Sequence, residues 1–189
     1  MHTCYLALGS NQGNRLAHLR DAVAALQKAG YVLTDASSVY ETSPVGCNGL
    51  QGDFLNAVIA LETDHAPADL LRQCLAIEAA LGRVRTGKNS VRTIDIDLLL
   101  ANGIITADTD AAVPHPRLHE RLFVLTPLRE IAAGVVHPVI GKTIGELYDA
   151  CSKCSGEVVR LFAPAARLGM PAHPRQRAQG ADTPTVNVE

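Results

Sequence analysis

Arg92-Thr93-Ile94-Asp95-Ile96-Asp97-Leu98-Leu99-Leu100 is the stretch on which the reading of this chain turns. Its β-branched residues and two-residue alternation predict a strand over Thr93 to Leu100. Alternate side chains of a strand share a face, so Asp95 and Asp97 point the same way while Ile94, Ile96, Leu98 and Leu100 point into a core. Two carboxylates side by side repel each other. A divalent cation between them relieves that repulsion, and hard oxygen ligands suit Mg²⁺. An isolated Asp-x-Asp is more often the solvated face of an edge strand, so its surroundings decide. Arg83, Arg85, Lys88 and Arg92 precede the pair, and His115, Arg117, His119 and Arg121 follow it. Carboxylates for a metal together with guanidinium groups for phosphate oxygens are the equipment of phosphoryl transfer, where positioning and charge neutralisation supply most of the catalysis.

Outward from this strand, Thr3 to Gly9 reads as a first strand, and Ser10-Asn11-Gln12-Gly13-Asn14 as a turn and capping cluster. Leu16, Leu19, Val23 and Leu26 repeat at helical spacing, and Gly30 stops that helix. Tyr31 to Thr42, rich in Val, Thr and Tyr, reads as one strand. Ser43 to Gly52 is a Pro- and Gly-bearing loop, and Phe54 to Thr63 is another strand. Pro67 suits the first position of a helix running to Leu81. After the central strand come a turn at Asn102-Gly103, helices over Phe123 to Ala132 and Thr143 to Cys151, and a closing strand at Val158 to Phe162. Strands adjacent in sequence and interrupted by only two long helices predict an α+β fold. The order fits a ferredoxin-like, mainly antiparallel sheet with both long helices on one face, plus short C-terminal helices. One domain over residues 1–162 is expected. Residues 163–189, poor in large apolar side chains, read as a disordered tail.

The 189 residues are 47% hydrophobic, enough for one sizeable core. A net charge of −2, with 4% aromatics and no Trp, argues against a nucleic-acid partner. No apolar run reaches the roughly 20 residues of a membrane helix. Five cysteines (Cys4, Cys47, Cys74, Cys151, Cys154) with no secretory signal read as reduced thiols in the cytoplasm.

Two further constellations stand out. Phe54 and Asn56 share one strand face, opposite Leu55, Ala57, Ile59 and Leu61, and a ring beside a carboxamide suits a flat, hydrogen-bonding heterocycle. An Asn serving nearby loop backbone fits that position equally well. Glu78 falls on a helical stripe with Leu71, Cys74 and Leu81, where a carboxylate needs a partner such as Arg83 or Arg85. It either holds the basic loop or metal site, or reaches to water at the stripe edge. Cys151-Ser152-Lys153-Cys154 has C-x-x-C spacing but no second pair for zinc. Gly9-Ser10-Asn11-Gln12-Gly13 lacks both the P-loop Lys and the dinucleotide fingerprint and reads as structural, with a place near the substrate left open.

In order along the chain stand Leu8-Gly9-Ser10-Asn11, Tyr40-Glu41-Thr42-Ser43-Pro44-Val45-Gly46, Asp53-Phe54-Leu55-Asn56-Ala57, Glu78 and Gly82-Arg83-Val84-Arg85. Arg92-Thr93-Ile94-Asp95-Ile96-Asp97, Pro114-His115-Pro116-Arg117-Leu118-His119-Glu120-Arg121, Phe123-Val124-Leu125 and His137-Pro138 follow. With these landmarks, residues 3 to 150 resemble the hydroxymethyldihydropterin pyrophosphokinases. The resemblance implies a ferredoxin-like fold and transfer of the β,γ-pyrophosphoryl group of ATP to the hydroxymethyl oxygen of a dihydropterin in folate synthesis. It implies Asp95 and Asp97 as ligands of two Mg²⁺ ions and, with Arg83 and Arg92, as catalytic residues. Arg83, Arg85, Arg92, His115 and Arg121 are then the phosphate-holding residues, with Leu98 near the adenine. Thr42, Pro44, Val45 and Asn56 read the pterin edge, and Phe54 and Phe123 sandwich its ring. Asp95 is the candidate base. A monomer acting on small molecules, with neither nucleic acid nor membrane as partner, is expected.

The sequence departs from the family in two places. Lys88-Asn89-Ser90-Val91 stands where an aromatic and a Pro are common, and Phe54 where a Tyr is common. Two other classes share parts of the pattern: a metal-dependent enzyme acting on nucleic acid, and a non-catalytic module that binds a heterocycle on the Phe54 and Asn56 face.

Overall fold

In the computed structural model, which describes residues 1–44, 51–84, 91–106 and 111–169, the chain begins with β1 (His2–Ser10), whose alternate residues Cys4, Leu6 and Leu8 are fully buried. Asn14 caps α1 (Arg15–Lys28) by accepting from the Ala17 N–H at 3.2 Å, and Gly30 leaves it at a φ of 93° that favours glycine. β2 (Val32–Ala36) and β3 (Val39–Thr42) follow, then β4 (Phe54–Thr63), α2 (Pro67–Ala80) and β5 (Asp95–Ala101). A 3-10 turn at Leu118–Glu120 leads to α3 (Leu122–Ala132), α4 (Ile144–Cys154) and β6 (Val159–Ala163). Thr143 and Glu146 form a capping box that starts α4.

The strands run in the order β5-β1-β4-β3-β6, with β2 also on β4, and every pairing is antiparallel. Cys4, Leu6 and Leu8 of β1 join Leu55, Ala57, Ile59 and Leu61 of β4 in a core beneath α1 and α2. Tyr5 and Ala7, on the other side of β1, join Val58 in a second core beneath α3 and α4. The fold is ferredoxin-like α+β, with both long helices on one face.

Three local expectations change. The run from Tyr31 to Thr42 is two strands, because the Ser37 N–H donates to Val58 O at 2.8 Å and its hydroxyl accepts from Val58 N–H at 2.9 Å, which interrupts the ladder. Leu100 lies in the second core and not beside Ile96, because the β1–β5 register slips so that Tyr5 faces Leu100 and Leu6 faces Leu98, leaving Leu99 as a bulge. The buried stripe of α2 is Leu70, Cys74, Ile77 and Glu78, turned slightly from the one through Leu71 and Leu81. Of the residues assigned to a tail, Ala163 ends β6, and Ala165 and Leu168 of a 3-10 turn at Ala165–Leu168 are buried in the first core. Among the described residues, no helix is long and apolar enough to cross a membrane.

Candidate active site

Gly9 of β1 lies between Asp95 of β5 and Asn56 of β4, and Ala7 lies between Asp97 and Val58. These two cross-strand rows face α3 and form the floor of the main pocket. Thr42, Ser43, Phe54, Arg92, Arg117, Arg121, Phe123 and Val124 complete its lining. Position 9 is tight for any side chain, since a Cβ there would stand 3.1 Å from Asn56 Oδ1, which would have to give way by a few tenths of an ångström.

Asp95 is held from two directions: Arg83 bonds its Oδ1 and Arg92 its Oδ2. Arg83 also pairs with Glu78, which is 2% exposed and accepts the Ile96 N–H at 2.7 Å. Glu78 therefore fixes both the arginine and the backbone between the two aspartates. Burial raises its carboxyl above the usual range, a tendency that the Ile96 amide and Arg83 oppose. Asp97 is pushed up to about 6, first by burial and then by the neighbouring Asp95 charge, with Arg121 and Arg92 pulling the other way. A carboxylate in that condition favours added positive charge. Arg92 is itself placed by Asn11, whose Oδ1 accepts the Arg92 N–H at 2.7 Å while the Asn11 N–H donates to Arg92 O at 3.1 Å.

Across β1 from Asp95, Asn56 Nδ2 donates to Thr42 Oγ1 at 2.7 Å, which orients the carboxamide in the pocket that Phe54 and Phe123 also line. The Arg121 guanidinium sits 5.7 Å from the centre of the Phe123 ring. The pocket thus has an acidic and cationic end and an aromatic and amide end.

Residues 5–133 match the family model described as 7,8-dihydro-6-hydroxymethylpterin-pyrophosphokinase (HPPK). The chain belongs to the HPPK family.

Among its relatives, the 2-amino-4-hydroxy-6-hydroxymethyldihydropteridine pyrophosphokinase of Bacillus subtilis is 47% identical over 132 residues, 69% of this chain and 78% of that one. The protein of the same name from Methylorubrum extorquens is 44% identical over 147 residues, 77% of this chain and 91% of its own. Among solved structures, Plasmodium falciparum HPPK-DHPS superposes with a TM-score of 0.63 at 15% identity over 79% of this chain, a likeness of fold. This chain spans 44% of that longer one.

The structure brings most of the HPPK residues expected from sequence to one place. Asp95, Asp97, Arg92, Arg121, Thr42, Phe54, Asn56 and Phe123 all line the pocket, and Arg83 reaches it through Asp95. His115 is not among the pocket-lining residues; its backbone N–H donates to Leu99 O at 2.9 Å, and burial together with Arg121 pushes its imidazole down to about 4. Leu98 is 4% exposed in the first core, on the side of β5 away from the aspartates. Pro44 is not among the pocket-lining residues, and Val45 and Arg85 lie outside the described residues. Ser43, within the Thr42 to Val45 backbone expected at the pterin edge, and Gly9, from the turn segment expected near the substrate, also line the pocket, and Asn11 joins the site through Arg92. The turn signal at Ser10-Asn11 was visible in sequence, but its bond to a residue 81 positions away was not.

Proposed function

We infer that this chain, an ATP-dependent pyrophosphokinase of folate synthesis, carries its reaction on Asp95 and Asp97. The observation that supports this most is their shared face in one pocket with Arg92 and Arg121 and with Asn56, Phe54 and Phe123. The reaction joins 6-hydroxymethyl-7,8-dihydropterin to the β-phosphorus of ATP. The pterin hydroxyl oxygen forms the new P–O bond, the bond from that phosphorus to the α,β-bridging oxygen breaks, AMP leaves with that oxygen, and the hydroxyl proton is released.

The residues present fit Mg²⁺. Asp95 and Asp97 stand on one face of β5 in the pocket, and two carboxylates are what Mg²⁺ uses when waters and substrate phosphates complete its shell. Asp95 and Asp97 would hold two such ions, which when bound neutralise phosphate charge and acidify a coordinated alcohol. The protein's own groups supply the rest. Arg92 and Arg121, with Arg83 braced by Glu78, bind and orient the triphosphate as fixed donors. Asn56 hydrogen-bonds the pterin edge while Phe54 and Phe123 stack on its faces. Asp95, with both oxygens already engaged by guanidinium groups, suits charge placement better than proton removal.

The protein works as a cytoplasmic monomer on small molecules. The free thiols of Cys4, Cys74, Cys151 and Cys154 suit a reducing compartment. The identity of the nucleotide product tests the reaction: AMP formed only with the pterin present is expected, and ADP would overturn the assignment.

A further inference from the structure

Phe123 and Val124 occupy the first turn of α3, with Arg121 as its N-cap, and all three line the pocket. The first N–H groups of any helix lack intrahelical partners. Here the helix offers little of its own: Arg121 makes no side-chain capping bond, and the first turn holds no acidic residue. The Phe123 N–H instead donates to Glu157 Oε2 at 3.0 Å.

Glu157 comes from the segment joining α4 to β6, outside residues 5–133 matched by the family model. It is half-buried, and its own N–H donates to Ser155 Oγ at 3.1 Å. Two residues later, Val159 pairs with Thr42, the residue that orients Asn56. Glu157 is thus tied to the sheet on one side and to the helix start on the other. A carboxylate at a helix N-terminus also complements the helix dipole.

We propose that Glu157 is a positioning residue for the pyrophosphoryl transfer: by capping α3 from outside the helix, it fixes Phe123 and Arg121 at the places where pterin and phosphate dock. The proposal rests on the function inferred above. Glu157 itself touches neither substrate.

Two variants separate this role from a merely structural one. Glu157→Gln keeps an acceptor oxygen for the Phe123 amide, and Glu157→Ala removes it. At saturating ATP, loss of a capping bond is expected to raise the pterin KM of Glu157→Ala about fivefold while kcat changes by less than about twofold. The Gln variant should recover most of the loss. Amide hydrogen exchange at Phe123, measured without substrate, should quicken in the Ala variant and return toward the parent rate in the Gln variant. An unchanged pterin KM and unchanged Phe123 exchange in Glu157→Ala would overturn the proposal, as would a Gln variant no better than Ala. If the parent chain releases no AMP with the pterin, the function fails. The Phe123 exchange rates, which need no substrate, then still decide whether Glu157 caps α3.

Discussion

Replacing Glu78 with glutamine removes one negative charge from a buried three-residue network while keeping nearly the same shape. The contacts of the carboxylate include an ion pair with Arg83 and a bond from the Ile96 N–H at 2.7 Å. Glutamine can keep the amide bond through its carbonyl oxygen, so that contribution, about 1 kcal/mol, survives. What is lost is the charged part of the Arg83 contact, about 1–2 kcal/mol, partly offset because the buried carboxyl no longer has to ionise. Arg83 then has Asp95 as its remaining charged partner in this network and is drawn toward it. That shift reaches Asp95, the carboxylate proposed to hold Mg²⁺, directly. Denaturant unfolding should show a loss of about 1 kcal/mol, whereas kcat/KM for pterin-dependent AMP release should fall about tenfold or more. Glu78→Ala, which also strands the Ile96 amide, should lose about 3 kcal/mol or more of stability. A glutamine variant within about twofold of the parent in kcat/KM would refute the argument that Glu78 acts through Arg83.

Gly9→Ala places a methyl group 3.1 Å from Asn56 Oδ1 on the pocket floor. Because Thr42 holds that carboxamide, steady-state kinetics should show the pterin KM rising about tenfold, with only a small drop in melting midpoint. The pH dependence of the metal-free protein should carry the mark of Asp97, raised to about 6 from an unfolded value near 3.8. The folded state holds the extra proton between those values, so the Asp97 contribution to stability is present at low pH and is lost as pH rises through about 6. Unfolding in a chelator at pH 4 to 7 should lose that component in Asp97→Asn, and Mg²⁺ affinity of the parent should rise over the same window.

The shared face of Asp95 and Asp97, and that of Phe54 and Asn56, were legible because a strand has a period of two and each pair lies within one regular stretch. Three residues further along, the same rule failed at Leu100. The bulge at Leu99 arises from how β5 registers against β1, a fact held by neither segment alone. The break at Ser37 was hidden for a similar reason, since its cause is a hydroxyl bonded to Val58 of another strand. Glu78 could be recognised as a carboxylate in need of a partner, and Arg83 was among the partners named. Its bond to the Ile96 amide could not be foreseen, because it depends on α2 packing against β5. Asn11 and Glu157 belong to the same class. Each holds a pocket-lining residue by its backbone, Asn11 through the N–H and C=O of Arg92 and Glu157 through the N–H of Phe123, and no local pattern marks such a contact.

Whether the Asp95 and Asp97 face carries pyrophosphoryl transfer from ATP is decided by AMP release from ATP and Mg²⁺, with and without 6-hydroxymethyl-7,8-dihydropterin, for the parent chain and for Asp97→Ala. AMP formation should require the pterin and fall at least about a hundredfold in the variant while the fold is retained. Pterin-dependent AMP release undiminished in Asp97→Ala would contradict that role.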